Sequence, residues 1–391
     1  MISLTTAESA LKDAYLNAVC NQLNTNANPL LAKIKQSNAD VYGKNIIKMA
    51  PIGLNGGVGA GDEVGALPTA KGNRYAQFKT TLKNLYGQIS ISDKAIRASS
   101  SSAGAFVDLL NAEMEGLLTA SKFNLGRMLY GDGSGLLATV SSASANTITL
   151  SSVKNIAEGM CIDIYNDDEV VVAGLRVTGV NRKTKVVTLD STPSSTISSG
   201  FGVYVQGSKD YEITGLGAIF GSTESLYGLN RVQNAWLTPY TSTTQTEISD
   251  NLLQTAVDYL SENSGSEIDI ITCGAGVRRA YMDYLSYYRR NVDVMNLEGG
   301  YKAISFNGIP VVADRFVEDS ELYMLDTSKF TLHQLCDWEW IEGENGNILH
   351  QMAGYPAYTA TLVKYADLIC DQPNGQAKFS NISTSVTNPF A

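Results

Sequence analysis

The chain has 391 residues, 44% apolar and 17% charged, with 29 Lys and Arg against 39 Asp and Glu. That supports a large buried core spread over two or three domains, and the charge is too sparse for a disordered polyelectrolyte. A net charge of −10 is repelled by phosphate backbones, which argues against a dedicated nucleic-acid reader.

Five cysteines (Cys20, Cys161, Cys273, Cys336, Cys370) lie far apart without a Cys-x-x-Cys pair. Such a set reads as reduced thiols in a cytoplasmic chain. With only His333 and His350 available, no metal site is expected. The N-terminus lacks the basic and then apolar stretch of an export signal. Residues 133–153 are uncharged, but their Ser, Thr and Asn content is too polar to cross lipid. No membrane association is expected.

The first predicted helix runs from about Thr6 to Leu23, and Asn24 to Pro29 breaks it. Alone at a chain end, it must bury its apolar stripe against something distant. Residues 44–92 read as a long hairpin, with one arm from Lys44 and the other from Tyr75 to Ile91. Between the arms lies Gly53-Leu-Asn-Gly-Gly-Val-Gly-Ala-Gly-Asp, with five glycines in nine positions. A phosphate cradle would need Gly-Lys-Ser/Thr opening a helix, which is absent. The run reads as a flexible loop tip.

Apolar residues Phe106, Leu110, Met114, Leu117, Leu125 and Met128 predict a helix over 103–130, with Ser102 as its N-cap. At 1.5 Å per residue this is a rod of roughly 40 Å, long enough to serve as a spine. Gly131-Asp-Gly-Ser-Gly stops it. Short β-rich runs then recur with turn residues between them: 147–150, 161–165, 169–172, 175–180, 185–189 and 201–205. This rhythm predicts a small antiparallel barrel or sandwich inserted at 137–213.

Beyond Gly215 the pattern is mixed. Helices are predicted at 247–263, with Thr246 as N-cap, and at 275–289, with strands at 268–273, 304–313, 321–325 and 355–370. The uncharged stretch from Phe379 to Ala391 reads as an arm or frayed end.

No catalytic constellation assembles. The chain has no Gly-x-Ser-x-Gly elbow, no His-Glu-x-x-His, and no Gly-x-Gly-x-x-Gly opening a helix after a strand. Asp62-Glu63 and Asp167-Asp168-Glu169 read as surface turns, and the two histidines as packed or surface residues. Arg278-Arg279 and Arg289-Arg290 sit near the ends of a tyrosine-rich helix. Charge and stacking would suit nucleic acid, but the composition is more typical of a protein interface, with the arginines pairing with carboxylates across it. No cofactor and no enzymatic activity are expected.

The order of parts resembles the major capsid proteins of tailed bacteriophages, the Hong Kong 97-like shell fold. The matching stretches are the arm at 1–40, the loop at 44–92, the spine helix at 103–130, and Tyr130-Gly-Asp-Gly-Ser-Gly rejoining at Ile213-Thr-Gly-Leu-Gly-Ala-Ile-Phe. The resemblance implies an α+β fold divided into an N-terminal arm (1–43), an extended loop (44–92) and a peripheral domain with the spine helix (93–136). An inserted β-rich domain (137–213), an axial domain (214–354) and a return to the peripheral domain with a tail (355–391) follow. It further implies a virion shell of hexamers and pentamers, enclosing double-stranded DNA without sequence specificity. The chain opens almost directly on the arm, so a separate scaffolding protein is implied, along with a portal and possible decoration proteins. Candidate intersubunit contacts are Gly53, Gly56, Gly57, Gly59 and Gly61 in the loop tip, and Arg278, Arg279, Arg289 and Arg290. The alternatives are an encapsulin-type protein compartment and, from another class, a nucleotide-binding enzyme.

Overall fold

The computed structural model describes residues 28–94, 103–288, 294–296, 302–343 and 346–384. The predicted helix at 6–23, with Cys20, lies outside them, as do Ser102, Arg289 and Arg290. The described chain opens with a short helix, α1 (Pro29–Lys33), capped by the Asn28 side chain, which accepts from Leu30 N–H at 2.7 Å. Strand β1 (Lys35–Ser37) follows, then β2 (Val41–Tyr42), β3 (Asn45–Ile52) and β4 (Arg74–Thr81), the last three forming an antiparallel ribbon. β3 and β4 pair without a slip from Asn45↔Thr81 to Ile52↔Arg74.

The expected second arm, Tyr75 to Ile91, divides at Leu82. Beyond it, β5 (Lys83–Ser92) leaves the ribbon and pairs with Ala357 to Ala366. The burial phase explains the split. β4 buries the even positions Ala76 and Phe78, whereas β5 buries the odd positions from Leu85 to Ile91. A one-residue slip turns the strand's apolar side over, so the two halves must serve different sheets.

Helix α2 (Ala103–Tyr130) has the predicted bounds. Its last turns bury Leu118, Leu125, Met128 and Leu129, and Gly131 N–H closes its end on Met128 O at 3.0 Å. Six strands come next: β6 (Leu136–Ser144), β7 (Thr147–Leu150), β8 (Cys161–Asn166), β9 (Glu169–Asn181), β10 (Val186–Leu189) and β11 (Gly202–Val205). They close into a barrel, in the order β10-β7-β6-β11-β8-β9, around an apolar core of its own that includes Ile148, Ile162, Val177 and Val203. The runs predicted at 169–172 and 175–180 are one strand. Asp163 braces it, accepting from Gly174 N–H and Gly207 N–H at 2.8 Å each.

The chain continues through α3 (Leu216–Ile219), β12 (Ser225–Leu226), β13 (Leu229–Asn230) and β14 (Tyr240–Ser242). Helix α4 (Asp250–Ser264) is capped by Ser249, not Thr246; the Ser249 hydroxyl accepts from Leu252 N–H at 3.1 Å. β15 (Ile270–Cys273), α5 (Ala275–Tyr288), β16 (Val294–Asn296), β17 (Lys302–Phe306) and β18 (Ile309–Ala313) follow. The strand expected at 304–313 is a hairpin, because Asn307 (φ 48°) and Gly308 (φ 83°) form the left-handed pair that favours a two-residue turn.

The remaining strands are β19 (Leu322–Leu325), β20 (Phe330–Trp340), β21 (His350–Gln351), β22 (Ala357–Cys370) and β23 (Ala377–Phe379). One sheet has the order β14-β23-β19-β15-β18-β17-β16, and α4 and α5 share its core. The other joins β1, β20, β22 and β21, with β5 on β22. The sheets therefore exchange strands where a division at 354 was expected. β20 already belongs with β22, and β23 returns to the first sheet. Phe379 and Ile382 are buried there, so the expected free tail is anchored at least that far.

Candidate intersubunit elements

Gly53, Gly56, Gly57, Gly59 and Gly61 lie in the tip joining β3 to β4, where residues 53–73 form no strand. Its two legs run close together. A Cβ on Gly57 would lie 3.2 Å from Lys71 N, so a side chain there would push the legs apart by a few tenths of an ångström. Asn55 ties the legs, donating to Asn73 at 2.9 Å and accepting from Gly57 N–H at 2.9 Å. Leu54, Val58, Val64 and Leu67 are 88–96% exposed on this tip. A loop this small gives them nothing to bury against within the chain.

The root of the ribbon is different. Ile46 and Phe78 are fully buried, and the Phe78 ring lies 5.3 Å from that of Tyr227 and 5.6 Å from that of Trp236. Lys79 N–H donates to Tyr227 O at 3.0 Å, and Lys48 pairs with Asp371 at 2.7 Å. The loop thus has a packed core at its root, and only the tip lacks one. Behind the root, His333 is buried with its Nδ1 at 2.9 Å from Ala39 O, and burial lowers its pKa, favouring the neutral ring.

Arg278 and Arg279 sit half-buried in the first turns of α5, and neither has a carboxylate partner among the described residues. Farther along the helix, Tyr281 is fully buried and its hydroxyl donates to Asp250 at 2.8 Å, whereas Tyr287 is 83% exposed. The structure does not bring the arginine pair and the glycine tip together within one site.

The segments flanking the barrel meet. A Cβ on Gly215 would lie 2.3 Å from Met128 O and 2.6 Å from Gly131 O, so only glycine lets the returning chain lie against the end of α2. Arg127 reaches across this junction to Glu212 with two hydrogen bonds, at 2.8 and 2.5 Å, and both side chains are almost fully buried. On its flank the barrel also touches the turn after β18, where the Lys154 ammonium donates to Val317 O and lies 3.7 Å from Glu318. Sequence reasoning missed the Arg127–Glu212 pair, because the partners stand 85 positions apart.

Among the described residues, chemical groups suited to catalysis do not converge. Burial pushes the Cys273 thiol up to about 12 and the Cys336 thiol up to about 11, and raises Cys370 further, which leaves these thiols protonated and unreactive. Among the described residues no three metal-ligating side chains cluster, and no helix is long and apolar enough to cross a membrane.

No family model and no curated protein matches the sequence. Solved structures do. A chain of the cyanophage A-1(L) capsid asymmetric unit superposes with a TM-score of 0.51 at 13% identity, over 95% of this chain and 93% of that one. This chain has the Hong Kong 97-like fold. Of the stretches expected above, the spine helix (103–130) coincides with α2 and the extended loop (44–92) with β3, the tip, β4 and β5, while β22 falls in the stretch expected to be peripheral and β15 in the one expected to be axial. Two further matches are weaker. A chain of Mycobacterium phage Bobi gives a TM-score of 0.45 at 10% identity, over 98% of this chain and all of that one. The holo-SrpI encapsulin complex of Synechococcus elongatus also gives 0.45, at 9% identity, over 95% and 94%.

Proposed function

We propose that the chain is the major capsid protein of a tailed bacteriophage, a structural subunit that assembles as hexamers and pentamers into an icosahedral head around DNA. The observation that carries this reading is a fold shared almost end to end with a capsid chain. The exposed apolar tip supports it, since a loop of this kind needs a surface outside its own chain. A separate scaffolding protein and a portal belong to the same reading. The glycine tip and the arginines at 278, 279, 289 and 290 are its candidate contacts. Electron microscopy of the expressed protein, alone and with a scaffolding protein, tests it. Uniform shells that package DNA in the presence of portal and terminase are expected. Shells that fill only with protein cargo would favour the compartment alternative, and a monomer with nucleotide-dependent activity under every condition would sink both.

We further read the barrel at about 137–213 as an inserted unit that steadies neighbouring subunits. Its separate core and the contact between its flanking segments support this. The fragment from Gly135 to Gly207, expressed alone, is expected to be soluble, with a β-sheet circular dichroism spectrum and one cooperative melt. An aggregating fragment without a transition would return these strands to the body of the fold.

A further inference from the structure

The extended loop acts at a distance from the sheet that bears it, so its direction must be set where ribbon and sheet part. That place is well defined. β5 pairs with β22 as far as Lys83↔Ala366, and the next residue of β22 is Asp367. Beyond this point the chain turns at Leu82 into the ribbon. Asp367 is fully buried, and its carboxylate accepts four hydrogen bonds from three segments. Thr80 Oγ1 donates at 2.7 Å from β4, Thr214 N–H at 2.7 Å and Thr214 Oγ1 at 3.1 Å from the chain leaving the barrel, and Leu368 N–H at 3.0 Å from β22 itself.

Among the described residues no Lys or Arg pairs with it. Its cross-strand neighbour His333 is turned to Ala39. A buried carboxylate without a counter-cation depends on its donors, so each of them is held firmly in place. Burial raises the pKa of Asp367 and the four donors oppose that rise, as expected where fixed donors take the place of solvent. Of the other contacts at the root, the Lys79 N–H to Tyr227 O bond is also directional but ties the ribbon to the turn between β12 and β13 and not to β22, and the rest are less so. Phe78 packs by apolar contact, which tolerates rotation and sliding, and Lys48–Asp371 is partly exposed and screened.

We propose that Asp367 is the positioning residue of the extended loop, fixing through Thr80 the angle at which the ribbon leaves the peripheral sheet before any neighbour is met. The consequence for assembly rests on the shell reading; the anchoring itself does not. Three variants test it, each read first by amide hydrogen exchange of the unassembled subunit. Thr80→Val keeps the shape and removes the donor, Thr80→Ser restores a hydroxyl, and Thr214→Val cuts a bond on the barrel side only. In Thr80→Val, residues 74–81 should exchange about ten- to a hundredfold faster, the factor for losing one hydrogen bond to a buried carboxylate. The axial sheet and barrel should keep their wild-type rates. Thr80→Ser should return the ribbon to wild-type exchange, and Thr214→Val should leave it there.

Unchanged ribbon rates in Thr80→Val would overturn the proposal. So would equal acceleration throughout the chain, or the same ribbon response to Thr214→Val. Under conditions where the wild type assembles, Thr80→Val should give polydisperse particles and Thr80→Ser uniform shells. Uniform shells from Thr80→Val would show that the angle is set elsewhere. A wild type that never assembles would count against the shell reading and leave the exchange result to decide the anchoring.

Discussion

Replacing residues 53–73 with a two-residue Asn-Gly turn will leave the subunit folded and abolish shell formation. The register makes the graft simple, since β3 and β4 are paired right up to the tip at Ile52↔Arg74, and a two-residue turn closes such a ladder. Stability should barely change, because the four large apolar side chains removed are 88–96% exposed and contribute no core. Assembly is another matter. Fully burying a Leu or Val contributes about 1.5–3 kcal/mol, so four of them carry roughly 6 kcal/mol or more before the cost of ordering the loop. Since about 1.4 kcal/mol is a factor of ten in an equilibrium, the yield of shells should fall far beyond tenfold at matched concentration. The measurements are thermal melting of the subunit and sedimentation of assembly mixtures. Normal shells of wild-type stability from the shortened chain would remove the tip from the interface.

Much of the architecture was legible where a single local rule decided it. α2 was read to its end residues because a helical period over 28 positions stops at Gly131-Asp-Gly. The barrel showed itself through short alternating strands between turns. Other features required the tertiary structure. β20 was not read because Thr331, His333 and Gln334 interrupt its apolar pattern, and all three are buried between neighbouring strands. The division at Leu82 left a trace, the change of burial phase from Phe78 to Leu85, which a hairpin template overrode. Asn307-Gly308 is a local turn signal inside the stretch 304–313 expected as one strand.

The groups that hold the parts together were least visible. Asp367 stands out in Thr-Leu-Val-Lys-Tyr-Ala-Asp-Leu-Ile-Cys as a charge within an apolar run, but its partners Thr80 and Thr214 lie 287 and 153 positions away. No periodicity reports a contact of that range. Only the path of the chain through both sheets brings these residues to one point.

Replacing Arg127 with methionine will cost about 3–5 kcal/mol, because it leaves the Glu212 carboxylate buried without its partner. Both side chains are nearly inaccessible, at 4% and 2% exposure, so water offers Glu212 little relief. The native pair is itself no great source of stability. The two charges give up much of their hydration to meet, and Arg127 Nε has no acceptor among the described residues. The double variant Arg127→Met with Glu212→Leu should therefore recover most of the loss, since the junction is then apolar throughout. What it should not recover is direction. The pair bonds twice across the seam between α2 and the chain returning from the barrel, and apolar replacements would leave that seam closed but less tightly oriented. Urea unfolding of the single and double variants measures the first effect, and hydrogen exchange across 131–135 and 207–213 measures the second. A single variant losing under about 1 kcal/mol would show that Glu212 finds other partners. A double variant no better than the single would mean that the seam depends on the charges themselves.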